Sequence, residues 1–549
     1  MVRGFGYRYG EVPLPKILEI KEGVTITAPK PSSGLRRPVV KVDLGPHVRG
    51  AALPHADPAD PGTMEAGVRK RSAFKAPRPD TLRLERLRCF VRKWVRHNLV
   101  PLAPDTDLSV ESWLRECSYP QTRKEELWQK WLRLKSIKDP SKKYKLCKGF
   151  MKDESYIDWK HARGINSRSD EFKCFVGPIF KRIEEILYKD HHFIKHVPVA
   201  DRPQYIRDLL YKVGAKYIST DYTAFESLFI AELMDCCEFE LYDYMTEFLP
   251  NHDDFMGTIR AVLAGVNTSE FKFFTFSVPA TRMSGEMNTS LGNGFSNLMF
   301  MLFLCEELGS TVDGVVEGDD GEFRVDGPIP TSKDFESLGL VIKLEEHDDL
   351  CTASFCGLIF DPEELINITE PLKALCNFGW TTNNYYKAKR STKMALLKAK
   401  SLSYAHQYPG CPIISRLAMY GLRMTRSVSP RHLRHFVAEK WRTSLFIREE
   451  TLKALAYFED NSFNVPHKET GLRTRMLMER KFGITVEVQL SIESYLNGKD
   501  DLSPIDHPLM DLLAPRAWQD YYAVYCLKGI DPSEERAMWV EYDGFTREW

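Results

Sequence analysis

Near the middle of the chain, two apolar β-branched runs flank a doubled carboxylate: Val312, Val315 and Val316 lead into Gly318-Asp319-Asp320-Gly321, and Phe323 and Val325 follow. Gly and Asp suit the backbone of a tight turn, so this stretch reads as an antiparallel hairpin with two adjacent acids at its tip. Glu317 and Glu322 lie on either side, and the concentration of one sign of charge is of the kind a divalent cation relieves. A hairpin needs further strands to bury a face. About a hundred residues earlier a short strand, Lys216 to Thr220, delivers Asp221, with Glu226 five positions on. Strand-end carboxylates from neighbouring strands can hold two Mg2+ ions a few ångströms apart.

The charge pattern along the chain supports such a division. The 549 residues carry 76 Lys plus Arg and 76 Asp plus Glu, a formal net charge of zero. Residues 1–150, however, hold 31 basic against 16 acidic side chains (net +15), whereas residues 201–350 hold 10 against 28 (net −18). A basic lobe suits a polyanion and an acidic core suits cations, although differently charged solvated faces give the same pattern. With 43% hydrophobic residues the chain has material for a sizeable core, which excludes a disordered, collagen-like or linker-dominated protein. Twelve cysteines without a short CxxC pair read as reduced thiols, and neither Cys236/Cys237 nor Cys351/Cys356 has zinc-site spacing. His191, His192 and His196 crowd one stretch, with nothing nearby in sequence to complete a ligand set. The first 30 residues have no apolar leader, and the longest apolar run, Leu298 to Cys305, falls far short of a membrane span, so no intrinsic span is expected.

Residues 1–80 are rich in Pro, Gly and Ala without sustained periodicity and read as a basic, partly extended N-terminal arm. From Thr81, helical spacing of Leu84, Leu87, Val91 and Val95 marks the expected start of the compact fold. Between Lys130 and Arg182, basic residues alternate with Trp131, Tyr144, Phe150, Tyr156, Trp159, Phe172 and Phe175, a composition suited to a channel wall for phosphates and bases, or to solvated loops. The segments Ala231–Phe248 and Phe295–Cys305 have helical patterns, and beyond about residue 366 the pattern is mostly helical, with breaks near 409–412 and 503–508. A Gly-containing loop, Ser284-Gly285-Glu286-Met287-Asn288, runs into the second of these helices and places Ser284, Thr289 and Asn293 where they can bond a polar ligand or cap the helix.

Taken together, Asp221-Tyr-Thr-Ala-Phe-Glu226, the segment Ser284-Gly285-x3-Thr289-x3-Asn293 and Gly318-Asp319-Asp320 resemble, in order and spacing, the three palm motifs of the RNA-dependent RNA polymerases of positive-strand RNA viruses, in their tombusvirus-like branch. Phe150-Met-Lys152-Asp-Glu154, with Lys160, Arg163 and Arg168, is similar to the fingers motif of that family, and Glu469 to Arg475 with Phe482-Gly-Ile-Thr485 and Gln489 is similar to a thumb segment. The resemblance covers about residues 110 to 495. It implies an α+β right hand: fingers over 81–215 with an insertion at 251–282, a palm of antiparallel sheet and helices over 216–250 and 283–365, and a helical thumb and C-terminal region over 366–549.

The implied activity is templated RNA synthesis by nucleotidyl transfer, copying a viral genome in the host cytoplasm, at replication membranes if a partner brings the chain there. Its implied partners are RNA template and product, nucleoside triphosphates and other viral replication proteins. In the resemblance, Asp221, Asp319 and Asp320 hold two Mg2+ ions, with Mn2+ as a substitute. Ser284, Gly285, Thr289, Asn293 and Glu226 position the nucleotide and sense its ribose; Lys152, Lys160, Arg163 and Arg168 contact triphosphate and template. Lys343 stands roughly where a lysine protonates leaving pyrophosphate, or is an ordinary strand lysine, and Phe355-Cys356-Gly357 stands where a tight turn grips the primer strand, or is a plain hairpin with a buried thiol. One position departs from the family pattern: Glu226 replaces the usual Asp, and its extra methylene shifts ribose selection toward Asn293. A reverse transcriptase, or a catalytically silent RNA-binding subunit, would share parts of this pattern.

Overall fold

In a computed structural model, which describes residues 19–27, 40–441, 443, 445–460 and 468–526, the hairpin around Gly318 forms at the centre of the molecule. The described strands are β1 (Thr25–Ile26), β2 (Lys41–Asp43), β3 (Leu146–Met151), β4 (Gly164–Arg168), β5 (Lys216–Tyr222), β6 (Val266–Glu270), β7 (Thr275–Pro279), β8 (Thr311–Glu317), β9 (Asp320–Asp326), β10 (Ile342–His347) and β11 (Trp380–Thr382). Four of them form an antiparallel sheet in the order β10-β5-β9-β8. Alternation along these strands sends neighbouring side chains to opposite faces. Ile218, Val316, Phe323 and Val325 enter the larger core, whereas Tyr217 and Val315 enter a smaller one with Ile206, Leu210 and Phe355. The sheet is therefore covered on both sides.

Beneath the larger face lies the helix Thr289–Leu308, buried without a break from Leu291 to Met301. A helix apolar on every side belongs inside a core, and here the helices Thr81–Asn98, Asp170–Leu187 and Glu238–Thr246 contribute to the same core. The pattern expected over Ala231–Phe248 forms two helices, Ala231–Cys236 and Glu238–Thr246, broken at Cys237. A second, mixed sheet runs β1-β7-β6-β3-β4, with β3 and β6 parallel. From Pro371 onward the chain is mainly helical around its own core, which includes Leu375, Leu397, Leu417 and Tyr420. The outcome is the expected combination of an antiparallel sheet and helices. No helix among the described residues is long and apolar enough to cross a membrane.

The expectation that the compact fold starts at Thr81 is corrected. Strand β2 pairs with β11, β1 pairs with β7, and Val48 bridges Ile505. Ala51, Ala52, Leu53, Val68 and Ala73 are completely or almost completely buried, and the helix Pro61–Arg71 is capped by the Asp60 carboxylate, which accepts from Thr63 N–H at 2.8 Å. Gly67 lets this helix lie against the link between β3 and β4, because a Cβ there would stand 2.3 Å from the Ala162 carbonyl oxygen. Small residues and prolines without periodicity are what a segment needs when it threads between preformed surfaces, and local pattern cannot distinguish that from an extended arm. Residues 1–18 and 28–39 of the expected arm lie outside the described residues. The aromatic–basic interleaving of 130–182 is corrected in part as well: Tyr144, Tyr156 and Phe172 are core residues, while Phe150 is exposed.

Candidate functional site

The turn between β8 and β9 has two central residues, Gly318 and Asp319, with Glu317 and Asp320 facing each other at the strand ends. Gly318 has a φ of +64°, the left-handed conformation that a Gly-first hairpin turn requires. Beside it, β5 pairs with β9 so that Thr220 faces Gly321, which brings Asp221 next to Asp320 at the same end of the sheet. Gly321 leaves no room for a side chain: a Cβ would lie 2.6 Å from the Phe323 ring, 2.9 Å from Thr220 Oγ1 and 3.1 Å from Asn297 Nδ2. On the other flank of β5, Lys343 of β10 stands opposite Asp221. Asp221, Asp319 and Asp320, separated by about a hundred residues in sequence, are thus assembled.

Burial and like charge act together at this end of the sheet. The Asp320 carboxyl is pushed up to about 7, by the protein packed around it and then by the charges of Asp319, Glu317 and Asp221. Asp319 is raised too, by its surroundings and by Glu226. Both side chains keep contact with solvent, so a ligand can reach them, yet protein encloses enough of each to make a second negative charge costly. An all-oxygen donor set with unrelieved repulsion fits a hard divalent cation such as Mg2+. The oxygens do not close on one point. Among the described residues the one trio of ligand atoms mutually within 4.8 Å belongs to Asp190, His191 and His192.

Neutral and basic groups hold the acids in place. Asn297 Nδ2 donates to the carbonyl oxygens of Asp319 at 3.0 Å and Gly318 at 3.4 Å, fixing the turn to the buried helix. Arg202 meets Glu317 at 2.7 Å. Arg71, from the N-terminal helix, donates to both oxygens of Glu226 at 2.7 and 2.8 Å. The extra methylene of Glu226 therefore carries its carboxylate to a guanidinium, and Arg71 also lies close enough to act on Asp319. Sequence reading missed Arg71, Arg202 and Asn297. Asn297 had a signal, since Thr289, Asn293 and Asn297 recur every four residues on one helix face. Arg71 and Arg202 had none.

The serine–asparagine segment packs against β4. Ser284 Oγ donates to the Gly164 carbonyl at 3.2 Å, and Gly285 N–H donates to the Asn166 carbonyl at 3.1 Å. A Cβ at Gly285 would lie 2.8 Å from that oxygen, so glycine is required. Thr289 Oγ1 donates to Met283 O at 3.3 Å, and Asn293 Oδ1 accepts from Arg282 Nε at 3.0 Å. Arg282 is itself buried against Glu238 at 2.7 Å, and its N–H donates to the Glu226 carbonyl at 3.0 Å. Asn293 and Glu226 are thereby held by one arginine.

Of the basic residues, Lys152 and Arg163 share Glu154, at 2.8 and 2.6 Å, and remain substantially exposed. Burial opposes ionisation of Glu154, but these two cations hold its carboxyl at about 2. Arg163 also acts on Asp319, which sets it beside the turn. Lys160 is exposed, its ammonium 4.7 Å from the centre of the Tyr156 ring. Arg168 is corrected: its guanidinium is fully buried, pairs with Glu286 and donates to Asn267 at 2.7 Å, so it braces the loop before Thr289 and is closed to a phosphate. Lys343 is exposed and paired with Glu345 at 2.6 Å. Phe355-Cys356-Gly357 forms a tight turn, with Cys356 and Gly357 at φ of 52° and 74° and the Cys356 thiol bonded to Asp320. Gln489 is buried and donates to Arg475 O and Ile484 O, which joins two helices at Gly483. A cavity of about 570 Å³ between Asn98–Ala103 and Arg182–Asp190 shares no residue with the carboxylate turn.

Glu322, two residues past the turn, is buried on β9, and one of its oxygens has no hydrogen-bond partner. Burial pushes its carboxyl up to about 8. A raised carboxyl contributes full stability in acid, below its unfolded value, and loses it as the pH climbs through the folded one. The stability advantage of Glu322→Gln over the wild type should grow between about pH 4.5 and 8, reaching on the order of a few kcal/mol. Denaturant midpoints across that window test this, and a constant difference contradicts it. Against known proteins, the chain matches no family model and no curated protein.

Proposed function

We propose that the chain is an RNA-directed RNA polymerase, a nucleotidyltransferase that copies a viral RNA genome. The observation that carries this reading is the meeting of Asp221 with Asp319 and Asp320 on adjacent antiparallel strands, above the helix that bears Thr289, Asn293 and Asn297. In this reading the four-stranded sheet is the palm, the mixed sheet and its helices are the fingers, and the helices after Pro371 are the thumb of a right hand. The work would take place in the host cytoplasm, with template, product and nucleoside triphosphates as ligands.

Two Mg2+ ions, or Mn2+ in their place, would be held by Asp221, Asp319 and Asp320, and when bound they lower the pKa of the attacking 3′-hydroxyl and neutralise the triphosphate. The chain's own groups do the positioning. Arg163, which acts on Asp319, and Lys152, which shares Glu154 with it, are both partly exposed and would receive the triphosphate, the guanidinium fork matching phosphate oxygens. Lys160 lies on the same connection. Asn293, with its oxygen fixed by Arg282, would present its amide to the ribose. Glu226, drawn to Arg71, would act on the ribose through that arginine, so the pair replaces the single short acid of the family pattern. Lys343, opposite Asp221 in the strand register and paired with Glu345, would in this reading deliver a proton to the departing pyrophosphate once it leaves Glu345.

The test is extension of a defined RNA template with ribonucleotides or deoxynucleotides, with and without primer. The wild type should incorporate ribonucleotides, and Asp319→Ala should lose extension by on the order of 10³-fold or more while retaining RNA binding. Near-normal extension by Asp319→Ala, or a preference for deoxynucleotides, would sink the reading. Glu226→Asp should stay active, but its shorter arm releases Arg71; losing that pair costs on the order of 1 kcal/mol, or about a 5-fold rise in nucleotide KM. An unchanged KM would mean that Arg71 and Glu226 do not meet the nucleotide.

A further inference from the structure

We propose that His191, His192 and Asp313 bind a divalent transition-metal ion, of which Zn2+ fits best, with Asp190 setting the orientation of His192. The site is separate from the carboxylate turn and does not depend on the polymerase reading. Sequence reading passed over Asp190, the neighbour of His191, and could not see Asp313, which comes from β8, 121 positions after His192. Residues 190–193 leave the end of the helix Asp170–Leu187 and run beside β8, where Val316 N–H donates to His192 O at 2.8 Å and Phe193 bridges Val316. That pairing brings both imidazoles over Asp313. His196 points elsewhere, edge-on to Tyr205.

The distances suit ligation. His191 Nε2 lies 3.1 Å and His192 Nε2 lies 3.4 Å from Asp313 Oδ1. Ligands held at about 2.0–2.1 Å from a tetrahedral Zn2+ stand about 3.3 Å apart, so each imidazole nitrogen already has ligand spacing from the Asp313 oxygen, and the two rings must draw together to admit the ion. The other ring nitrogen of His192 donates to Asp190 Oδ1 at 2.6 Å. A carboxylate on Nδ1–H fixes the tautomer that leaves Nε2 with its lone pair, the second layer found around metal-bound imidazoles. Two nitrogens and an oxygen form a borderline donor set that favours Zn2+ over Mg2+ or Ca2+. His191 is half-exposed, which gives solvent access for a water as fourth ligand, and Tyr205 Oη holds the backbone of His191 through a 2.5 Å bond to its carbonyl.

The ion would act as a clamp. Strand β8 is the edge of the antiparallel sheet and leads directly into the turn that carries Asp319. Tying Asp313 to the segment after the long helix anchors that edge from outside. Nothing in the arrangement brings the ion to the acids at the turn.

The experiment uses the full chain, stripped with a chelator and returned to buffer containing excess Mg2+ to occupy hard-cation sites. Titration with Zn2+ alone, followed by calorimetry and thermal unfolding, should give one saturable equivalent and a raised melting temperature. Asp190→Asn should weaken Zn2+ binding about 10- to 100-fold, and His191→Ala with His192→Ala should abolish it, with circular dichroism confirming that each variant is folded. Co2+ in the wild-type chain provides a readout that needs no variant: visible absorption of a low-coordinate nitrogen–oxygen site is expected. A hydrogen-bonded cluster only, seen as no saturable Zn2+ uptake over Mg2+ or as Co2+ with six-coordinate absorption, overturns the proposal, as does uptake unchanged in the folded double variant.

Discussion

Repulsion among carboxylates at one end of an antiparallel sheet is the constraint around which the rest of the molecule is arranged. Pairing of β5 with β9 and closure of the β8–β9 turn put Asp221, Asp319, Asp320 and Glu317 together, and Asp320 is raised to about 7, first by burial and then by its acidic neighbours. Each surrounding element makes that crowding tolerable. Asn297 ties the turn's carbonyls to a buried helix, Arg202 meets Glu317, and Arg71 meets Glu226. Two glycines are fixed by the same geometry, Gly318 by its backbone conformation and Gly321 by the approach of Thr220. A group of acids that repel one another yet remain open to solvent is poised for cations, which is what the proposed nucleotidyl transfer would require.

The charge segregation of the sequence acquires a structural meaning in this light. The described part of the basic N-terminal portion is built into the molecule: Lys41 is buried with its ammonium on Leu53 O, and Arg71 reaches the acidic end of the sheet. Part of the positive charge of residues 1–150 is thus placed against the negative charge of residues 201–350. The same holds for Arg88 and Arg92, which meet Glu240. Zero net charge reflects opposite blocks brought into contact.

What could be read from the chain was local. The hairpin at Gly318, the strand carrying Asp221 and the helix after Ser284 each have a short-range signature: turn residues between β-branched runs, or helical spacing of apolar residues. What could not be read depends on contacts between distant segments. Arg168 looks like any basic residue near Lys152 and Arg163 until Glu286, 118 positions away, is folded against it. Residues 40–80 lack periodicity because their burial is provided by β7, β11 and the C-terminal helices, not by a face of their own. The partners of His191 and His192 are hidden for the same reason, one of them lying across the sheet edge on β8. Asn297 is the exception, legible from its spacing but outside the motif that drew attention to Asn293.

The central claim is that Asp221, Asp319 and Asp320 together hold the divalent cations of a nucleotidyl-transfer site. Anomalous diffraction from crystals of the chain soaked with Mn2+ and a nucleoside triphosphate tests it most directly. Two Mn2+ peaks about 3.5–4 Å apart beside Asp221 and Asp319 are expected. Absence of any peak at these carboxylates, with the triphosphate bound elsewhere, would contradict it.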